Sequence, residues 1–223
     1  MSEAASEIVA YGLAAGLSVS AFLATVVLVS TARGVVNGIS FIAGFLVGVG
    51  AVCVGVALLA GLLTPESGDR TLQSVLKLVL GLVLLLAAWY ERPGNDALES
   101  GGGRAKAFLG RLEGIGPRGA LSTGLVFVVL PKRLAITVLA GLTIAGSGLG
   151  TAEELGLVVL FTLLAAVAIW PTLLLYLVAR DRADRALGSA KAWTFAHAHA
   201  VAFVVSLVFG LLFTVQSVAE LAG

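Results

Sequence analysis

Apolar residues run along this chain in blocks of about twenty, each closed by a short polar interruption. A block of that length crosses about 30 Å of hydrocarbon as a helix. Six such blocks stand out, at about residues 8–30, 39–63, 72–90, 121–145, 155–178 and 200–218. The interruptions have the chemistry of turns. Thr31-Ala-Arg-Gly34 and Thr64-Pro-Glu-Ser-Gly-Asp-Arg70 are short; residues 91–119 form a long Gly-rich connection and 179–191 a charged one. The pattern predicts an all-α integral membrane protein, a single transmembrane domain over residues 1–223 with six transmembrane helices.

Composition supports that reading. The 223 residues are 59% hydrophobic and 12% charged, where soluble domains carry about 25% charged residues. The net charge of +1 gives no basic face for nucleic acid, so no nucleic-acid partner is expected. Cys53 is the single cysteine, which rules out an intramolecular disulfide and a CxxC redox pair. The start, Met1-Ser-Glu-Ala-Ala-Ser-Glu7, lacks the basic region of a secretory signal, so the first apolar block is expected to be retained.

The cations set an orientation. Arg33, then Arg92, Arg104, Lys106, Arg111 and Arg118, then Arg180, Arg182, Arg185 and Lys191 fall in the first, third and fifth connections; Arg70 and Lys77 fall on the other side. Excess positive charge stays inside. The odd connections, including 91–119, are therefore predicted to be cytoplasmic and both termini outside, in a multi-pass protein of the cell membrane. With three spans per half, a repeat would be inverted, a common transporter architecture. A loose likeness between Gly16-Leu-Ser-Val-Ser20 and Gly119-Ala-Leu-Ser-Thr123 fits such a repeat.

Pro131-Lys132-Arg133 interrupts the fourth apolar block. A cation at bilayer depth costs about 2.5–3.5 kcal/mol on insertion scales. Counted from Leu121 at 1.5 Å per residue, the element lies about 15 Å into the span. Proline also frees a backbone carbonyl. A broken helix beside two cations suits a phosphate, sulfate or carboxylate; the alternative is a span that starts at Leu134, with the two cations as an interface anchor.

Other positions are weaker candidates. Ser18 and Ser20 with Thr25 place hydroxyls in the first span, for binding or for helix packing. Trp170-Pro171 predicts a kink in the fifth, with a cavity beside it or without one. His197 and His199 are two apart and point to opposite sides of a helix, which disfavours a shared metal. Gly12/Gly16, Gly34/Gly38 and Gly44/Gly48 have the spacing of close helix contacts, within the chain or in a homodimer. No Walker A, HExxH or GxSxG motif occurs, and acidic residues keep to loops and ends. No enzyme activity, cofactor or metal is expected.

Several segments together resemble a known family. Gly16-Leu-Ser-Val-Ser20, the run from Leu28 through Arg33 to Gly48, Leu130-Pro-Lys-Arg133 leading into Ala140-Gly-Leu-Thr-Ile-Ala145, Pro171 and the closing Gly210-Leu-Leu helix are similar to the Gap/Sap-like glycolipid-addressing proteins of the lysine-exporter superfamily. Two departures stand out. The family's Ser-Pro in the first span is here Ser18-Val-Ser20, and its Asn-Pro-Lys-Asn-like element is Leu130-Pro-Lys-Arg133. The resemblance implies an exporter that moves a lipid-linked or glycolipid substrate, an anionic amphiphile, across the membrane. The substrate site would comprise Lys132, Arg133, Pro131, Ser18, Ser20, Trp170 and Pro171, with membrane lipids as partners. Export of a small amino acid or ion, and a non-transporting accessory role in a lipid-export machine, are the alternatives.

Overall fold

The computed structural model describes residues 2–31, 33–63, 110–112, 114–178 and 203–219, with isolated helical positions between 75 and 89 and between 197 and 201. Helix is the regular structure throughout these residues. The elements are α1 (Ser2–Gly16), α2 (Val19–Val29), α3 (Gly34–Leu63), α4 (Pro117–Val128), α5 (Pro131–Ala145), α6 (Thr151–Ala165), α7 (Trp170–Val178) and α8 (Phe203–Ala219). The turn at 64–70, most of 91–119, the connection 179–191, His199 and most of the cations that set the orientation lie outside the described residues.

Within α3, Gly34–Ala60 is long and apolar enough to cross a membrane unaided. Three further candidates are each two helices joined at a sharp bend: 58° between α1 and α2, 68° between α4 and α5, and 63° between α6 and α7. The first apolar block is thus two helices rather than one. Its bend comes where Ser18 adopts extended backbone before α2. The second bend has a covalent cause, because Pro131 supplies no N–H for the carbonyl four residues back. In the fifth block the break occupies residues 166–169, upstream of the expected site, and Pro171 sits in the first turn of α7. A missing donor does no harm there.

Glycines set how these pieces meet. A Cβ on Gly44 would strike the Leu121 backbone carbonyl, and one on Gly124 would strike the Phe41 carbonyl and approach the Phe45 nitrogen to 2.7 Å. The backbones of α3 and α4 therefore touch. In lipid, where burial offers no hydrophobic gain, such close van der Waals contact is what holds helices together. Further along, Gly141 of α5 meets Cys53 and Val56 of α3, so α3 runs parallel to the whole α4–α5 pair. Gly12 and Gly16 of α1 press in the same way on Leu164 and Val167 of α6 and the turn after it. Gly34 sits against the Val29 backbone and Gly38 against Val29 and Leu173, so all six GxxxG-spaced glycines are used inside the chain.

Other contacts run the opposite way. Ala15 meets Arg133 while Glu7 meets Thr143, so α1 is antiparallel to α5. Gly81 meets Thr214 while Gly210 meets Leu85, so the helical positions near 81–85 run antiparallel to α8. The core between these elements is aromatic and aliphatic: Tyr11, Phe41, Phe45, Phe161 and Phe213 are fully buried, with Tyr11 against Phe213 and Phe41 edge-on to Phe127.

Asn37 secures the approach to α4. It is buried and donates to the Ile115 carbonyl at 3.1 Å and to Thr31 Oγ1 at 3.0 Å. Replacing it with leucine strands that carbonyl, so Asn37→Leu is expected to cost about 1–3 kcal/mol. The loss would be read as a lower thermal midpoint in detergent.

Candidate functional site

The site begins with a carbonyl that proline deprives of its helical donor. In an unbroken helix Phe127 O would accept from residue 131, but residue 131 is proline. Arg133, two residues further on, turns back and fills the gap: its Nη1 donates to Phe127 O at 3.1 Å. The sequence Pro-x-Arg therefore withholds the helical donor from that acceptor and supplies another.

The same guanidinium reaches a second broken helix. Nη2 points to Ala15 O at 3.5 Å, a long contact to the last turn of α1. Phe45 and Phe127 lie against the guanidinium, with centroids 4.9 and 5.8 Å from its central carbon. Each ring contributes about 0.5–2 kcal/mol of cation–π attraction. Arg133 is only 4% exposed, and its Nε has no hydrogen-bond partner. Among the described residues no carboxylate pairs with it.

Lys132 lies on the other side of the α5 N-terminus, half-buried, with Nζ donating to Ser206 Oγ of α8 at 3.0 Å. The break thus combines the positive end of the α5 dipole with two formal cations. Ser18 and Ser20 mark the N-terminus of α2, their hydroxyls 3.1 Å apart. Ser18 is half-buried and Ser20 exposed. Trp170 and Pro171 are both exposed and frame the third break from outside. That break is not remote, because Gly16 rests on the Leu164 carbonyl at the end of α6.

Three broken helices therefore meet through two residues, Arg133 and Gly16. The resulting electrostatics are asymmetric. The negative ends of α1 and α4 are covered by the Arg133 guanidinium, whereas the positive ends of α2 and α5 carry Ser18, Ser20 and Lys132. What is left over favours an anion. The expected residues fall into three groups: Lys132, Arg133 and the backbone of Pro131 meet at one break, Ser18 and Ser20 lie at the neighbouring one that Arg133 joins to it, and Trp170 and Pro171 lie at the third.

Ala15, Phe127 and Ser206 had no signal of their own in the sequence: Ala15 contributes only a carbonyl, Phe127 a carbonyl and one ring among ten phenylalanines, and Ser206 is one serine among many. The carbonyl of Phe127 was accessible in principle by counting four residues back from Pro131. The likeness between Gly16–Ser20 and Gly119–Thr123 does not mark equivalent places. The first straddles a bend and the second lies inside α4. The bends themselves give a better register: Gly12 and Gly124 each precede the bend residues Leu17 and Val129 by five positions, Ala15 and Phe127 by two. Thr25 and Thr137 each follow by eight, both buried and both bonded to the carbonyl four residues back. No grouping of His, Cys, Asp and Glu among the described residues has the makings of a metal site.

Fold and site together define an all-helical membrane-associated protein built on broken helices, with a buried cation at the break. The profile of the family of Sap, the sulfolipid-1-addressing protein, matches residues 8–219, and the chain belongs to that family. No curated protein and no solved structure matches it.

Proposed function

We propose that this protein is a secondary carrier that moves an anionic, lipid-linked substrate across the cell membrane. The family takes its name from a sulfolipid-addressing protein, and a sulfate ester is an oxyanion of the kind the site suits. The observation that carries the reading is Arg133, a buried guanidinium that joins two broken helices and has no carboxylate partner among the described residues. A charge kept at bilayer depth without a counter-charge marks a substrate pathway.

The carrier would be a single transmembrane domain of six spans with both termini outside, in two inverted three-span halves. The directions of the helices support this, with α1 against α5 antiparallel and α3 with α4 parallel, as does the shared register of the two bends. Substrate would enter at the α5 N-terminus, where Lys132 engages the head group and Ser18 and Ser20 add donors from α2. Rocking of one half against the other would then expose the site to the opposite face. No chemical step on the substrate is involved.

In vesicles reconstituted with the protein, a sulfated lipid is expected to change leaflet faster than in protein-free vesicles, while its unsulfated analogue does not. Lys132→Gln combined with Arg133→Gln is expected to abolish the movement without loss of membrane insertion. Normal movement by that variant would sink the assignment.

A further inference from the structure

We propose that Arg133 acts by exchanging ligands. In the empty carrier its guanidinium ties α1 to α4; on binding, the substrate's anionic group takes the place of the Ala15 carbonyl and releases α1. This rests on the carrier reading and adds how occupancy of the site is coupled to opening of the break.

The two ends of the guanidinium are not used alike. Nη1 holds Phe127 O at 3.1 Å, within the residue's own broken span. Nη2 holds Ala15 O at 3.5 Å, across to α1. Nε, which shares an edge with Nη2, has no partner at all. That Nε–Nη2 edge presents two parallel N–H groups, the geometry that takes a sulfate, phosphate or carboxylate in a bidentate manner. Of its two nitrogens, Nε is unfilled and Nη2 has only one long contact, to a neutral carbonyl.

An oxyanion on this edge would make two charge-assisted bonds and neutralise the guanidinium. At Nη2 it would compete with the long Ala15 contact, while Nη1 keeps Phe127. The α4 end of the latch therefore stays fastened and the α1 end lets go. The glycine contacts along α1 put no side chain in the way of release, because Gly12 and Gly16 present only backbone to Leu164. An apolar or neutral lipid has nothing to offer Nε and leaves the latch closed. The arrangement makes opening conditional on an anionic head group, which is selectivity by coupling as well as by affinity.

The test reads water access at the latch. A thiol is placed by Ala15→Cys, a buried position, in a Cys53→Ala background, and the protein is reconstituted in phosphatidylcholine vesicles containing cholesterol or cholesterol sulfate. Labelling by a membrane-impermeant maleimide is expected to be slow with cholesterol. Cholesterol sulfate is expected to raise the rate roughly tenfold or more, the equilibrium shift that one charge-assisted hydrogen bond supports. Equal rates in the two vesicles overturn the proposal. Adding Arg133→Gln is expected to give fast labelling in both. Should that protein fail to fold, Arg133→Lys retains the charge without the bidentate edge, and is expected to show a raised basal rate with little response to sulfate. A lysine variant that labels like the parent also overturns the proposal.

Transport measured on the same Cys53→Ala vesicles separates the two ideas. Sulfate-dependent labelling without transport refutes the carrier and leaves the exchange standing. Transport with labelling indifferent to sulfate does the reverse.

Discussion

Gly124→Leu is expected to yield almost no folded protein. Gly124 lies where α4 crosses α3, and a Cβ there already meets the Phe41 carbonyl and the Phe45 nitrogen. Those are backbone atoms of a helix, so no rotamer change relieves the overlap. The two helices must separate along their length, which also opens the packing of Gly44 on Leu121 and Gly48 on Val128. Overpacking of a core typically costs about 1–3 kcal/mol, and displacement of a whole helix costs more. Against a total stability of about 5–15 kcal/mol, that is a large share. The matched control is Gly55→Leu, on the facing helix α3, where an added Cβ meets nothing within 4 Å. It is expected to stay within about 0.5 kcal/mol of the parent. Size-exclusion of detergent extracts and a thermal scan measure both. A well-behaved Gly124→Leu protein would mean that α3 and α4 are not in backbone contact.

The second large effect separates stability from function at one residue. Arg133→Met keeps an unbranched side chain of roughly similar volume, though a shorter one, and removes the charge. The parent holds an ion at 4% exposure with one short hydrogen bond, one long one and two ring faces. Desolvating a cation costs several kcal/mol, and replacing buried charge with an apolar side chain of similar volume is often neutral or stabilising. Two helix-end carbonyls lose a donor in exchange. The thermal midpoint is therefore expected to move by no more than about 2 kcal/mol equivalent, in either direction. Movement of a sulfated lipid is expected to fall by roughly tenfold to a hundredfold, the loss of one charge-assisted contact. A residue that costs little to remove and abolishes activity is there for function. If Arg133→Met instead unfolds the protein, the guanidinium is a structural clamp.

Much of this molecule was legible along the chain. The class followed from apolar blocks near twenty residues and a low charge content. The odd chemistry of Pro131-Lys132-Arg133 followed from finding two cations inside an apolar block, an expensive placement in lipid. GxxxG spacing pointed to close helix contacts, and Gly12, Gly16, Gly44 and Gly48 make them inside the chain. The bends were legible only in part. Pro131 predicts its own break, since it lacks an N–H, while Pro171 follows its break rather than making it. The bend at Leu17–Ser18 has no proline and no residue type that demands one. Two serines there compete for backbone bonds only mildly, so the position of that bend is a property of the packing around it.

What the sequence determined by itself, then, was the solvent this protein suits and the residues that stand out against it. Hydropathy and charge are sums over local composition, and each residue contributes wherever its neighbours lie. Tertiary structure alone decided what Arg133 holds. The Ala15 carbonyl is far away in the chain and carries no side-chain identity. It becomes a partner only because α1 runs antiparallel to α5 and stops at the level where α4 stops. Backbone acceptors are the same in every residue, so which of them a buried cation finds is a question of geometry.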